Sequence, residues 1–122
     1  MLKEMKVLAS GRMRQAAFDI LDEKTTLTAW QKGGRMPQEE FEKLLSEADA
    51  LFSAGNIKID EALLSKAPKL KVAAQSSVGY DNIDVAACRA HGVRVGNTPG
   101  VLVEAVADLA YALLLDSARI IV

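Results

Sequence analysis

One cysteine, one histidine, one tryptophan and three prolines are all that this chain of 122 residues holds of those types. Each scarcity excludes something. Cys88 alone cannot form an internal disulfide, so no crosslinked framework exists and nothing points to secretion. It reads as a small residue packed on a helix. A metal site would need clustered histidine, cysteine or carboxylate ligands, and no such spacing is visible. No pair of the eight glycines lies two apart, which rules out a G-x-G-x-x-G dinucleotide fingerprint, and no G-x-x-x-x-G-K phosphate loop occurs either. Fifteen basic residues against sixteen acidic ones leave a formal charge of −1. That balance gives no electrostatic case for nucleic acid or an anionic membrane surface. The most apolar run, from Ala105 onward, is interrupted by Asp108, Asp116 and Arg119 and does not read as a membrane span. Met1-Leu2-Lys3-Glu4 runs straight into a strand-like segment without a signal-peptide pattern, so the expected compartment is the cytoplasm.

What the chain does have is the makeup of one soluble domain, half hydrophobic and a quarter charged. Short β-rich runs alternate with helical periodicity. Met5-Lys6-Val7-Leu8-Ala9 reads as a first strand, followed by a helix with Met13, Ala17 and Leu21 on one face. Thr25 to Trp30 is β-branched and aromatic, a second strand. Pro37 suits the first turn of a helix whose stripe is Phe41, Leu44, Leu45 and Ala48. Asp49 to Ser53 is a third strand. Ile59, Leu63 and Ala67 suggest a helix that Pro68 stops. Leu70 to Ala74 is a fourth strand, and Asp81 or Asn82 could cap the helix after it. Ile83, Ala87 and Ala90 line that helix's inner face, and Gly92 ends it. His91, beside Gly92, is placed to help satisfy the terminal carbonyls. Val93-Arg94-Val95 is the fifth strand. This alternation predicts an α/β fold, a doubly wound parallel sheet of flavodoxin-like order 2-1-3-4-5.

The last segment differs from the rest. From Val103 to Val122 the charged residues Glu104, Asp108, Asp116 and Arg119 fall within an arc of roughly 120°, leaving a wide apolar face. A long apolar C-terminal helix of this kind is expected to be buried on more than one side, against another domain or subunit.

Ligands of open parallel sheets bind outside the carboxyl ends of the strands. Four loops lie there: Ser10-Gly11-Arg12, Ala54-Gly55-Asn56, Ser76-Ser77-Val78-Gly79 and Asn97-Thr98-Pro99. Small residues beside glycine let backbone N–H groups approach a ligand closely, an arrangement that suits a carboxylate, although any such turn also needs small residues. A receiver-type domain would need acidic residues after strands one and three, where Leu8-Ala9-Ser10 and Leu51-Phe52-Ser53 stand instead. The loop after strand one has a single hydroxyl and matches a flavin phosphate loop poorly.

One stretch is more specific. Gln75-Ser-Ser-Val-Gly-Tyr-Asp-Asn-Ile-Asp84, Gly92-Val-Arg-Val-Gly-Asn-Thr-Pro-Gly-Val101 and Ala105-Val-Ala-Asp-Leu-Ala110, in that order, resemble the D-isomer-specific 2-hydroxyacid dehydrogenases, most nearly those of glyoxylate/hydroxypyruvate reductase type. Before Lys69 the likeness is one of architecture only.

The resemblance implies that residues 1–98 form most of a substrate-binding domain and residues 99–122 a linking and dimerisation helix. It implies that Val78 and Gly79 hold the substrate carboxylate through their N–H groups, beside Ser77, and that the loop at Ala54 and Gly55 lies across the substrate. Asn97 to Pro99 begin the hinge toward a nicotinamide-binding Rossmann domain that is expected to be absent from this chain. NAD(P)H would then be the parent enzyme's cofactor, with none bound here. The family often has threonine at the position of Val106, a hydroxyl this sequence lacks. Its catalytic Arg, Glu and His follow the dinucleotide fingerprint, and His91 does not match the histidine's motif. The ending Ala118-Arg119-Ile120 departs from the usual Ala-Arg-Arg. The expectation is a fragment of an oxidoreductase acting on a small 2-oxoacid, inactive alone, with a homodimer through Val103 to Val122 or a monomer in which that helix folds back. The alternative is a stand-alone, non-catalytic folding or assembly module.

Overall fold

The computed structural model describes residues 2–30, 32, 34–54 and 57–119. After a 3-10 turn at Leu2–Glu4 the order is β1 (Lys6–Ser10), α1 (Gln15–Lys24), β2 (Thr26–Ala29), α2 (Gln38–Glu47), β3 (Ala50–Ser53), α3 (Glu61–Ser65), β4 (Val72–Gln75), α4 (Val85–Ala90), β5 (Arg94–Gly96) and α5 (Val103–Arg119). The strands form one sheet in the order β2-β1-β3-β4-β5, and every pairing is parallel. This is the predicted α/β topology.

Register decides which side chains share a face. Leu8 pairs with Leu51, Leu51 with Ala73 and Ala73 with Val95. This row points toward α2, α3 and α4 and meets Phe41, Leu45, Leu64 and Cys88 in one cluster. Leu8, Leu45, Leu51 and Leu64 are each only 1% exposed, and burying a leucine fully is worth roughly 1.5–3 kcal/mol. The alternate row turns the other way. Right-handed crossovers on either side of β1 send α1 to that second face, where Ala17, Phe18 and Leu21 are half-buried. Val7 and Ala9 are covered there, but Ala50, Phe52, Val72 and Ala74 keep part of their surface in solvent.

Several local expectations are corrected. The helix after β3 is shorter than the stripe Ile59, Leu63, Ala67 suggests, because Asp60 caps it by accepting from the N–H of Leu63 at 3.1 Å. Ile59 is thereby left outside, bridged to Ile83, and the buried helical residue is Leu64. Neither Asp81 nor Asn82 caps α4. Asp84 does, accepting from the N–H of Ala87 at 2.9 Å. Ala90 is exposed rather than inward. His91 sends its ring not to the helix's carbonyls but to α3, where Nε2 lies 2.8 Å from Oε1 of Glu61. Pro37 precedes α2 as its N-cap instead of sitting in the first turn. The fourth strand runs to Gln75 and the fifth to Gly96, each displaced toward the loops from its predicted span.

The C-terminal segment is helical over Val103–Arg119, and residues 120–122 lie outside the described set. Within this single chain its apolar side is not buried. No residue of α5 is buried, and Val106, Leu109, Tyr111 and Leu114 are each more than 60% exposed. Among the described residues no helix is long and apolar enough to cross a membrane.

Candidate functional site

The polar centre of the molecule sits at the carboxyl ends of β3 and β4. Leu51, Ser53 and Ala73, Gln75 alternate on the core-facing row, so the last position of each strand puts a polar residue where an apolar one would otherwise pack. Ser53 is 0% and Gln75 6% exposed. A buried amide is tolerated only when its hydrogen bonds are made, and Gln75 makes them to the loop that follows. Its Nε2 donates toward Ser77 Oγ at 2.7 Å, the Gly79 carbonyl at 2.8 Å and Asn82 Oδ1 at 3.0 Å. With two hydrogens for three acceptors, at least one is shared. Asn82 returns Nδ2 to Gln75 Oε1 at 2.7 Å and also reaches the Ile57 carbonyl at 2.6 Å. Ser77 Oγ donates to the Gly79 carbonyl at 2.8 Å.

From the far side the segment after β5 completes the clamp. Asn97 Nδ2 donates to the Val78 carbonyl at 2.9 Å, and the Thr98 N–H to the Ser77 carbonyl at 3.0 Å. The carbonyls of Ser77, Val78 and Gly79 are therefore all engaged by donors of the protein. The N–H groups of Val78 and Gly79 have no acceptor among the described residues. Val78 is 37% exposed, and Gly79 is exposed as well.

Gly79 is informative in another way. Its backbone is not in the left-handed region, and a Cβ placed there would meet nothing within 4 Å. Neither conformation nor packing within this domain calls for glycine at that point. Without a Cβ the backbone there is open to close approach from outside the domain.

The structure thus brings together Ser77, Val78 and Gly79 of the predicted set. Gly55, with its neighbour Asn56, lies outside the described residues. Sequence reasoning missed the three side-chain amides that hold the turn: Gln75, Asn82 and Asn97. For Gln75 a signal was present, since it falls on the core-facing parity of its strand. In sequence Asn82, like Asp81, fits a helix cap, the commoner use of asparagine after a turn. No titratable side chain belongs to this cluster, so an anion held there would depend on backbone N–H groups. Cys88 lies elsewhere, on the buried side of α4, where burial first and Asp84 second push its thiol pKa up, the opposite of an activated nucleophile. Among the described residues no group of three or more His, Cys, Asp or Glu side chains is placed to hold a metal ion.

Comparison with known proteins sets this geometry in context. Residues 7–114 match the family profile described as "D-isomer specific 2-hydroxyacid dehydrogenase, catalytic domain". Glyoxylate reductase of Thermococcus litoralis is 40% identical over 117 residues, which is 96% of this chain and 35% of that protein. The glyoxylate reductase of Aeropyrum pernix is 39% identical over 99% of this chain and 36% of its own length. Among solved structures, a 2-hydroxyacid dehydrogenase from Ketogulonicigenium vulgare Y25 superposes with a TM-score of 0.81 at 31% identity, covering 99% of this chain and 37% of that one. The chain spans about a third of the length of the curated relatives it matches.

Proposed function

The chain belongs to the D-isomer-specific 2-hydroxyacid dehydrogenase family, and from that premise we propose that it forms the substrate-binding part of an NAD(P)-dependent oxidoreductase acting on a small 2-oxoacid such as glyoxylate or hydroxypyruvate. The observation that carries this reading is the turn at Ser77, Val78 and Gly79. Its carbonyls are held by Gln75, Ser77, Asn97 and Thr98, while two successive N–H groups have no acceptor among the described residues. A carboxylate accepting from both would gain two charge-assisted hydrogen bonds, roughly twice as strong as neutral ones. Glycine at 79 allows its oxygen atoms to come close to the backbone.

In this reading residues 1–98 are the substrate domain and Val103–Arg119 a linking helix that packs on a second copy of the chain, giving a homodimer. The chain's own loops do not fit a dinucleotide. The turn between β1 and α1 holds one glycine, Gly11, and delivers Arg14 as the helix N-cap with no side-chain cap bond. The nicotinamide and the acid–base groups would belong to the portion of the relatives that this chain does not span. What this chain contributes is binding and orientation: it fixes the acid by its carboxylate, which sets where the 2-oxo carbon lies. If those groups do lie there, residues 1–122 by themselves are expected to turn over no substrate.

Glyoxylate titrated into the isotope-labelled chain tests this directly. The amide resonances of Val78 and Gly79 are expected to move saturably, and Gly79→Val to abolish the response with the fold intact. Unmoved resonances at those two residues, while others shift, would place the acid elsewhere and overturn the reading.

A further inference from the structure

We propose that the cleft between the loops following β1 and β2 is a second binding site, one that takes a small carboxylate with an apolar body. The cleft has a volume of about 320 Å³ and is bounded in part by Ser10, Trp30, Arg35, Met36, Phe41 and Ile57. That is within the range of small-molecule pockets, about 300–1,000 Å³. It opens on the β2 side of the sheet, whereas the turn at Val78 and Gly79 follows β4.

Charge is the first argument. Arg35 lines the cleft, Arg12 follows its lining residue Gly11, and Lys32 stands with Nζ 5.5 Å from the centroid of the Trp30 ring. None of these three cations forms an ion pair with a carboxylate among the described residues. Lys6, Lys58, Lys66 and Lys71, by contrast, each have an acidic partner. Glu39 and Glu40 begin the turn beyond Gln38 and are not part of the lining.

The second argument is the indole itself. Trp30 Nε1 is shut off from water and has no acceptor among the described residues. An indole N–H can only donate, and a buried donor without a partner is unfavourable. As the ring now lies the N–H is out of reach of solvent. A small turn of the ring toward the cleft it already lines would present that donor to an oxygen there. A carboxylate would then accept from the indole and from the Arg35 guanidinium together, while Met36, Phe41 and Ile57 cover a short hydrocarbon body. Two groups that can only donate, the indole and the Arg35 guanidinium, beside an apolar wall favour that class of ligand over a cation.

Trp30 is the chain's one tryptophan, so its emission reports on this cleft alone. Titration with 4-methylpentanoate is expected to change the emission saturably. The amide of the same acid, 4-methylpentanamide, and the variant Arg35→Gln should each bind roughly tenfold more weakly, since a charge-assisted contact is lost. Trp30→Phe keeps an aromatic body without the N–H and, followed by calorimetry in the Gly79→Val background so that the other turn does not contribute, should weaken binding by about fivefold. Gly79→Val should leave binding of the probe unchanged, because the other site is not involved. An emission that does not saturate, an amide that binds as well as the acid, or loss of binding in Gly79→Val would each overturn the proposal.

Discussion

On one side of the sheet Leu8, Leu51 and Ala73 are shut off from water by α2, α3 and α4, while on the other Ala50, Phe52, Val72 and Ala74 remain partly wet. The strands are the same; only the parity differs. Three helices cover the first face, and α1 alone serves the second, where it contributes no buried residue. The last helix, α5, could in principle have covered it, yet none of its residues is buried. The two faces therefore differ in what sustains them. The closed face is stabilised from within the chain, and the open face and α5 leave apolar surface for something else to cover.

Truncations on opposite parities should give the largest contrast. Leu51→Ala removes a side chain that is 1% exposed from the middle of the closed face and is expected to cost roughly 3 kcal/mol, transfer and cavity terms together. Phe52→Ala, the next residue along β3, should cost only about 1 kcal/mol, because the ring is already partly hydrated and the gap opens to solvent. Urea unfolding of the two variants reads the difference. Equal losses would break the comparison, since they would mean the second face is packed as tightly as the first.

The polar end of the closed face offers a sharper probe. Gln75→Ala deletes an amide that holds both the Gly79 carbonyl and Asn82, leaving buried partners unmatched at about 1–3 kcal/mol. Asn82→Ala should cost a similar amount, and the double variant clearly less than the sum, because the two amides satisfy each other. A strictly additive pair would show that water replaces each amide independently and that the turn is not clamped.

How far these features could be read in the sequence depended on whether they are local. Alternation implies the parallel sheet and crossover handedness leaves few orders, of which 2-1-3-4-5 is the one expected and observed; each of the five strands lies within two residues of its predicted end. Small residues beside glycine mark the turn at Ser77 to Gly79 only as one of four candidate loops, and it is the family resemblance that singles it out. The clamp on it was not visible in one dimension, since Gln75, Asn82 and Asn97 meet only after β4, the bridge at Ile83 and β5 are assembled. Competition at chain turns explains the other misses. Asp60 and Asp84 took the capping roles because each stands three residues before the N–H it accepts. Asn82, closer to the buried amide, was drawn to Gln75 instead. The uneven covering of the faces was beyond reach, because periodicity says that a side chain is apolar and not whether anything lies over it.

The apolar helix gives a smaller effect on folding and a clear one on assembly. Leu109 and Leu113 lie one turn apart and are 62% and 57% exposed. Changing both to glutamate should leave the urea midpoint of the single chain nearly unaltered, within about 0.5 kcal/mol for each site. Sedimentation at rising concentration is expected to show the unaltered chain as a dimer and this variant as a monomer. A large loss of stability in the variant would mean that α5 packs on its own domain after all, and the contrast between the faces would have to be redrawn.

Acid should distinguish the faces by the smallest margin. Hydrogen bonds from Lys66 to Glu42, from Lys6 to Glu47 and from the N–H of Leu63 to Asp60 hold these carboxyls below their ordinary values. All three belong to α2 or the cap of α3, on the closed side. A carboxyl whose pKa is depressed by folding contributes stability above its unfolded value, and that contribution fades as the pH falls through the folded one. Stability should therefore be level near neutrality and decline below the ordinary carboxylate range. Asp60→Asn separates charge from capping, because asparagine is as good an N-cap. It should match the parent near pH 7 and decline less steeply in acid, as measured by urea midpoints across the acid range. An identical decline in the variant would mean that Asp60 titrates alike in the folded and unfolded chain, and that acid acts on the closed side through Glu42 and Glu47 alone.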